Sequence, residues 1–243
     1  YFSAVQGATS AGRLVTVGPL PVSDPVARAL GASDLKAERS RTLGLGLVAG
    51  PWRGLMLTID AFRIRIEDRI ALSEQLGGPS VVAILTGAGI TNFQQVRFFT
   101  NAVDTTTEGF EVVARWQGDL GDGTRLSLNA GYGRFKSELD VLRPNPVLPA
   151  LPLLNTKSIL FLTAAQPKDK FTGQAVLTYG PFRFQISGAV FGDYTSAPLV
   201  AAQTFDGRHT IDVLAGYEVR PGVRVEVGAQ NLTDERPEGI ADQ

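Results

Sequence analysis

The sequence predicts an all-β protein, an antiparallel transmembrane β-barrel wall of about eight strands, and two observations carry that reading. Apolar and polar residues alternate over segments of about ten residues, long enough to cross a bilayer when tilted. The connections alternate between very short and long, as in barrels with tight turns at one end and loops at the other. No apolar run approaches the ~18 residues of a membrane-spanning helix. The most apolar stretch, Val81 to Ile90, is short and contains Gly87 and Gly89. A barrel lacks such runs because every second strand residue faces a polar interior.

Tyr1 to Ala37 is rich in Gly, Pro and Ser and reads as a loop, with a short helical turn at Val26 to Leu30. The first strand spans about Arg41 to Ala49 with Leu43, Leu45 and Leu47 on its apolar face, and Gly50-Pro51 turns it. The second spans about Leu55 to Asp68. Its apolar residues switch from odd positions (Leu55, Leu57, Ile59, Ala61) to even ones (Phe62, Ile64, Ile66), which predicts a β-bulge near Ala61. After a long connection, Ile70 to Asn92, the third runs from about Val96 to Gln117, interrupted near Val103-Asp104, and Asp119 to Gly123 turns it. The fourth carries Leu126, Leu128, Ala130 and Tyr132 on one face and leads into a Pro-rich connection, Asp140 to Lys168.

The fifth strand (Phe171, Gly173, Ala175, Leu177, Tyr179) turns at Gly180-Pro181 into the sixth (Phe182, Phe184, Ile186, Gly188, Val190). A connection around Ser196 to Thr204 precedes the seventh (Ile211, Val213, Ala215, Tyr217, Val219), and Arg220 to Gly222 leads into the eighth (Val223, Val225, Val227, Ala229). Paired residues across a hairpin share a face. A loop of Gly180 and Pro181 opposes Tyr179 to Phe182, Leu177 to Phe184, Ala175 to Ile186 and Phe171 to Val190, every pair apolar. Gly180 supplies the positive φ of a type II′ turn. A three-residue loop at Arg220 to Gly222 opposes Val219 to Val223, Tyr217 to Val225, Ala215 to Val227 and Glu218 to Arg224.

Two features favour lipid outside the wall. Trp52, Trp116, Tyr179, Phe182 and Tyr217 lie near the short turns, as in an aromatic girdle, and Phe62, Phe171, Phe191 and Tyr194 could form the other girdle. The opposite face mixes Gln174, Arg183, Gln185, Asp212, Glu218, Arg224 and Glu226, which suits a hydrated lumen. A soluble β-sandwich binding module would alternate in the same way, but its strands usually run ~5–6 residues, about half the length here. A passive porin would share the wall.

Four segments, in order, resemble the barrel portion of TonB-dependent outer-membrane receptors. They are Val26–Ala32 with Leu35–Ser40; Gly54–Asp60 continuing through Arg63–Ile70; Asn101 with Thr106–Glu111; and Gly228 with Asn231–Pro237, where Thr233 stands at a position more often Phe. The resemblance implies a wall fragment of a barrel of about 22 strands. Residues 1–243 would then be a partial barrel domain without its N-terminal plug domain, its coupling box or its closing strand. It implies residence in the outer membrane of a Gram-negative cell and energised uptake of a scarce nutrient of siderophore, cobalamin or carbohydrate type. The partners implied are the lipid bilayer, the plug of the same receptor, the TonB complex and a small-molecule ligand.

Chemistry other than transport finds little support. The net charge of −1 and the lack of a clustered basic face give no nucleic-acid footprint. With no cysteine, disulfides and cysteine-based metal sites are excluded. His209 is the sole histidine and sits at a strand end, which argues against a triad or a His-rich metal site. Asp119 to Gly123 lacks the further oxygen ligands of a calcium loop and reads as a turn. Glu67 and Asp68 flank Arg65 and Arg69 as a solvated strand end; Phe98 and Phe99 read as wall or girdle residues; Pro144 to Pro152 reads as an extended loop. The chain is therefore expected to be no enzyme, with no catalytic residue, cofactor or metal. Ligand contacts are expected on Ala71 to Asn92, Asp140 to Lys168 and Ser196 to Thr204, with no individual residue assigned.

Overall fold

The computed structural model describes residues 6–10, 13–91, 93, 95–197 and 201–240. The eight predicted strands are present as β3 (Arg39–Trp52), β4 (Leu55–Leu72), β6 (Gln95–Gly121), β7 (Thr124–Leu142), β8 (Asp169–Tyr179), β9 (Phe182–Phe191), β12 (Arg208–Arg220) and β13 (Val223–Ala229). Further strands are β1 (Gln6–Ser10), β2 (Arg13–Leu20), β5 (Leu76–Gly77), β10 (Tyr194–Ser196) and β11 (Gln203–Phe205). Three helices, α1 (Pro25–Ala29), α2 (Pro79–Gly87) and α3 (Thr156–Thr163), lie in the connections. One sheet has the order β1-β2-β6-β7-β8-β9-β12-β13, with β4 pairing β6 and β3, and β5 pairing β6. β10 and β11 form a separate hairpin.

The connections contain more structure than the sequence suggests. The Gly- and Pro-rich start holds the β1–β2 hairpin, and β2 lies parallel to β6 from Val17↔Gln95 to Leu20↔Phe98. β-Branched Val15, Thr16 and Val17 suit a strand once a neighbouring edge is available. α1 falls where the helical turn was expected. The Asp24 carboxylate caps it by accepting from the Val26 N–H at 2.8 Å, and Pro25 needs no partner for its nitrogen. α2 and α3 occupy parts of the long connections, and β6 runs without a break through Val103-Asp104.

Turn chemistry sets the short ends. The β3–β4 turn falls at Arg53-Gly54 instead of Gly50-Pro51, because both central residues take positive φ (48° and 87°), as a type I′ hairpin turn requires. Asp122 and Gly123 do the same between β6 and β7 (50° and 74°). Gly180 has φ 50°, and the four predicted β8–β9 pairs are all observed. At the last hairpin the loop is Pro221-Gly222. Arg220 opposes Val223, and the register shifts between Glu218 and Arg220. Proline followed by glycine at φ 80° suits a type II turn, whose twist disagrees with the strands; the extra residue, Val219, absorbs the mismatch. The predicted Tyr217–Val225, Ala215–Val227 and Glu218–Arg224 pairs stand, and Val219–Val223 does not.

Glycine is required at one of these turns. A Cβ on Gly54 would run into the Gln117 carbonyl oxygen, and the Gln117 amide donates to the Gly54 carbonyl at 3.0 Å. Gly54→Ala is expected to cost about 1–3 kcal/mol in backbone strain alone. The urea midpoint of the refolded protein, read against wild type, tests this.

The chain divides into two compact units. The first comprises Tyr1–Arg41, Ile64–Thr106 and Glu138–Ile159. Its core buries Val26, Leu30, Val81, Leu85, Val96, Phe98 and Leu153. Phe98 is thus a core residue, not a wall or girdle residue, while Phe99 is exposed.

The second unit, Thr42–Arg63, Thr107–Ser137 and Leu160–Gln243, is built from strand rows. The register aligns Tyr179, Phe182, Tyr217 and Val225 in one row; Leu177, Phe184, Ala215 and Val227 in the next; then Leu128, Ala175, Ile186 and Val213; Ala130, Gly173, Gly188 and Ile211; and finally Tyr132, Phe171, Val190 and His209. These rows form an exposed apolar face. Phe184 is 48 % exposed, Ile186 52 % and Val225 62 %, so no second layer among the described residues covers them. That exposure removes the β-sandwich alternative, in which this face would be core.

Two expectations about this face are corrected. The apolar switch at Ala61 is not a bulge. Leu55 lies with Ala114, Trp116 and Leu128 on the apolar face, whereas the Phe62 ring meets Phe135, 5.8 Å between centroids. Phe135 has the parity of Ser127, Asn129 and Gly131 on the other side, so Phe62 has changed faces with its neighbours. Phe191 likewise stands on the polar face beneath Lys170, 5.2 Å away, and Tyr194 stacks on Phe205 in the β10–β11 hairpin. Of the second predicted girdle only Phe171 holds its place, joined there by Tyr132.

Candidate functional site

The first unit gathers much of the two longest connections into an ordered assembly. Asp104 on β6 is its electrostatic centre: its side chain is 8 % exposed. It accepts from Arg143 Nη1 at 2.8 Å, from Arg143 Nη2 at 3.1 Å and from the Asp68 N–H at 2.9 Å. Arg143, beyond the end of β7, also pairs with Asp68 at 3.4 Å, and its hydrogen bonds to Asp104 push its guanidinium pKa up. Asp68 adopts φ 54°, and Asn101 Nδ2 donates to its carbonyl at 2.5 Å. The Asn101 amide also exchanges hydrogen bonds with the Lys36 backbone, at 2.8 and 3.0 Å. Glu67 and Asp68 are therefore not a free acid pair. Glu67 pairs with Arg65 at 3.4 Å, and Asp68 belongs to the clamp.

Asn145 holds the Pro-rich connection. Fully buried, it donates from Nδ2 to the Leu30 carbonyl at 3.0 Å and accepts from the Val147 and Leu148 N–H groups at 2.9 and 3.0 Å. The stretch from Pro144 to Pro152 is thus a turned, anchored loop instead of an extended one. Ser73 and Glu74 tie the other connection in. Glu74 N–H donates to the Leu153 carbonyl at 2.8 Å, and Glu74 Oε1 accepts from Ser158 Oγ at 2.6 Å. The loops were legible in the sequence and the clamp was not, because its polar residues lie among other polar loop residues.

In the second unit the polar face carries its own rows. Asn129, Gln174, Ser187 and Asp212 align across four strands, as do Arg125, Thr178, Arg183, Gly216 and Glu226 across five. Arg224 lies 3.8 Å from both Glu218 and Glu226. Above β13 the chain folds back along β12: Leu232 N–H donates to the Ile211 carbonyl at 2.7 Å, Asn231 N–H to Asp212 at 2.8 Å, and Arg208 pairs with Glu235 at 2.9 Å. Asn231, at φ 49°, closes the bend by bonding the Glu235 backbone with both side-chain atoms. His209 is exposed at the end of its row, opposite Val190. Asp119 to Gly123 is a hairpin turn in which Asp119 accepts from the Gly121 N–H at 3.0 Å. Residues 198–200, Asn92 and part of the first stretch, where the sequence placed loop, lie outside the described residues.

Alternating faces, long antiparallel strands and tight turns make this sheet part of a β-barrel wall. A family described as TonB dependent receptor-like, beta-barrel, matches residues 1–232. The chain belongs to this family. No curated protein matches it in sequence. Its fold is similar to that of the FrpB iron transporter from Neisseria meningitidis (TM-score 0.57, 17 % identity, 82 % of this chain and 27 % of that one). It is similar to the outer membrane transporter YddB from Escherichia coli (0.57, 11 % identity, 83 % and 29 %). A variant of the ferric enterobactin receptor PfeA from Pseudomonas aeruginosa is also similar (0.51, 16 % identity, 82 % and 26 %). The chain spans between a quarter and a third of the length of these structures.

Proposed function

We propose that this chain supplies wall strands and external loops to an outer-membrane TonB-dependent receptor of a Gram-negative cell, one that imports a scarce nutrient of siderophore, cobalamin or carbohydrate type. The observation that carries the reading is the exposed apolar face bounded by two rows containing aromatic residues. Tyr179 and Phe171 are eight residues apart on β8. At ~3.4 Å per residue and a tilt of ~40° that separates the rows by about 21 Å, close to the ~25 Å apolar band of outer-membrane barrels. The charged opposite face then lines a wet interior, where the plug of the same receptor would sit. Ligand capture is assigned to the loop assembly around Asp104 and Asn145, since binding residues concentrate on ordered loops. Further wall strands continue from β3 and β13, since open edges cannot persist in lipid.

Fractionation of the intact receptor from a Gram-negative host, followed by uptake of labelled ferric chelates, cobalamin and oligosaccharides, tests this. Recovery with outer membranes and uptake that stops without TonB are expected. Recovery as a protein soluble without detergent removes the membrane assignment, and uptake indifferent to TonB makes the chain a passive channel.

A further inference from the structure

On the polar side of the second unit, β9, β12 and the end of β13 line a shallow recess of about 460 Å³, within the ~300–1,000 Å³ of small-ligand sites. Register builds it. Ser187 stands opposite Asp212, Gln185 opposite Leu214, and Leu214 opposite Gly228. Gln230, just past β13, joins them in the lining. Gly228 keeps the middle open: a Cβ there would stand 2.7 Å from the Val213 carbonyl oxygen and 3.4 Å from Leu214 Cβ.

Charge sets the recess apart. Among the half-buried carboxylates of this unit, Asp169 has Arg134 at 3.5 Å, Glu218 has Arg224 at 3.8 Å and Glu235 has Arg208 at 2.9 Å. Asp212 meets no cation among the described residues. Its Oδ1 accepts from the Asn231 N–H at 2.8 Å, and its other oxygen takes no donor from them. An ionised carboxylate accepts at both oxygens, so capacity is left over. Donors stand beside it. The Ser187 hydroxyl has no partner among the described residues, and Gln185 uses only Oε1, which accepts from Arg183 Nη2 at 3.0 Å.

We propose that this recess is a subsite for one ring of a neutral carbohydrate. A hydroxyl both donates and accepts, so ring hydroxyls give hydrogen bonds to Asp212 and take them from the Gln185 amide and Ser187. An ammonium or guanidinium group would satisfy the carboxylate but offers no acceptor to the amide. An anionic chelate is repelled by Asp212. Leu214 supplies an apolar floor for the C–H face of the ring. The inference rests on the receptor reading above and narrows its three nutrient types to one.

The test is equilibrium binding of neutral oligosaccharides of glucose, mannose, galactose and xylose to the full-length receptor. Lauryldimethylamine oxide serves as detergent because it has no sugar headgroup. Binding of at least one oligosaccharide is expected. Asp212→Asn keeps the oxygen that accepts from Asn231 and turns the other into a donor, so it should weaken that binding about 10–100-fold, the worth of hydrogen bonds to a charged group. Ser187→Ala should weaken it about fivefold. If Asp212→Asn is not recovered with outer membranes, Ser187→Ala decides alone. Equal binding by wild type and the recovered variants overturns the subsite, as does failure of every oligosaccharide to bind. Spermidine binding that Asp212→Asn abolishes also overturns it, by showing a site for a cation. A receptor that takes up a ferric chelate with TonB and binds none of the sugars loses the subsite and keeps its place as a receptor.

Discussion

Replacing Ile186 by arginine is expected to destabilise the wall by about 2–4 kcal/mol, the cost of turning a guanidinium to hydrocarbon at mid-depth. Ile186 stands in the middle row, between Ala175 on β8 and Val213 on β12, two rows from each bounding row. An arginine at a girdle can reach headgroups with its long stem, but one in the middle row is too far from either boundary to do so cheaply. Its neighbour Ser187 points the other way and pairs with Asp212, so Ser187→Arg gains a carboxylate partner and should change stability by less than about 0.5 kcal/mol. Urea unfolding of the full-length receptor in lipid vesicles reads the difference, and the fraction assembled in outer membranes reports it in cells. If adjacent substitutions on opposite faces behave alike, the apolar face does not meet lipid.

The contrast between those neighbours also explains what the sequence could show. A strand alternates faces with a period of two whatever lies beyond them, so the rows through Leu177–Phe184 and Ala175–Ile186 were legible in the sequence. Turns were legible where one residue decides them, as at Gly180. They were less so at Arg53, where φ had to be positive at a residue that is neither glycine nor one of the usual turn formers. The Ala61 switch shows a limit of another kind. A bulge and an exchange of faces give the same pattern in one strand, and only the Phe62–Phe135 contact separates them. Exchange is what the packing demands there: beyond Ala61 the outward residues are arginines, and the apolar residues turn to the other side of the sheet.

The loop assembly was hidden because its contacts join residues far apart in sequence. Asn145 reaches Leu30, and Asn101 reaches Lys36. No local periodicity announces such pairs. The asparagines, arginines and aspartates involved look in sequence like ordinary loop polarity. Even so, the segments resembling the receptor family contain two such residues: the Asn101 side chain holds the Asp68 carbonyl near a strand end, and the Asn231 side chain holds both backbone groups of Glu235 at a bend.

Asn145→Ala is expected to loosen the first unit by about 3 kcal/mol. The substitution strands the Leu30 carbonyl and the Val147 and Leu148 N–H groups, each costing about 1–3 kcal/mol if it stays buried and unpaired. Water entering the vacated space will satisfy some of them, which sets the lower figure. Gly31 lies against the same amide: a Cβ there would stand 2.6 Å from Asn145 Oδ1, and its φ of 99° suits glycine, so the α1 end and the loop are shaped around each other. Amide exchange between residues 146 and 154 should accelerate by about 100-fold, the equivalent of ~3 kcal/mol at 25 °C. Exchange in β8 and β9 should hold steady, since their hydrogen bonds lie in the other unit. Asn155→Ala makes the internal comparison: its side chain only caps α3, accepting from the exposed Ser158 N–H at 3.0 Å, and its loss should cost about 1 kcal/mol. If Asn145 proves no more important than Asn155, the loops are held by their apolar core alone, and a preformed capture platform no longer follows from this network.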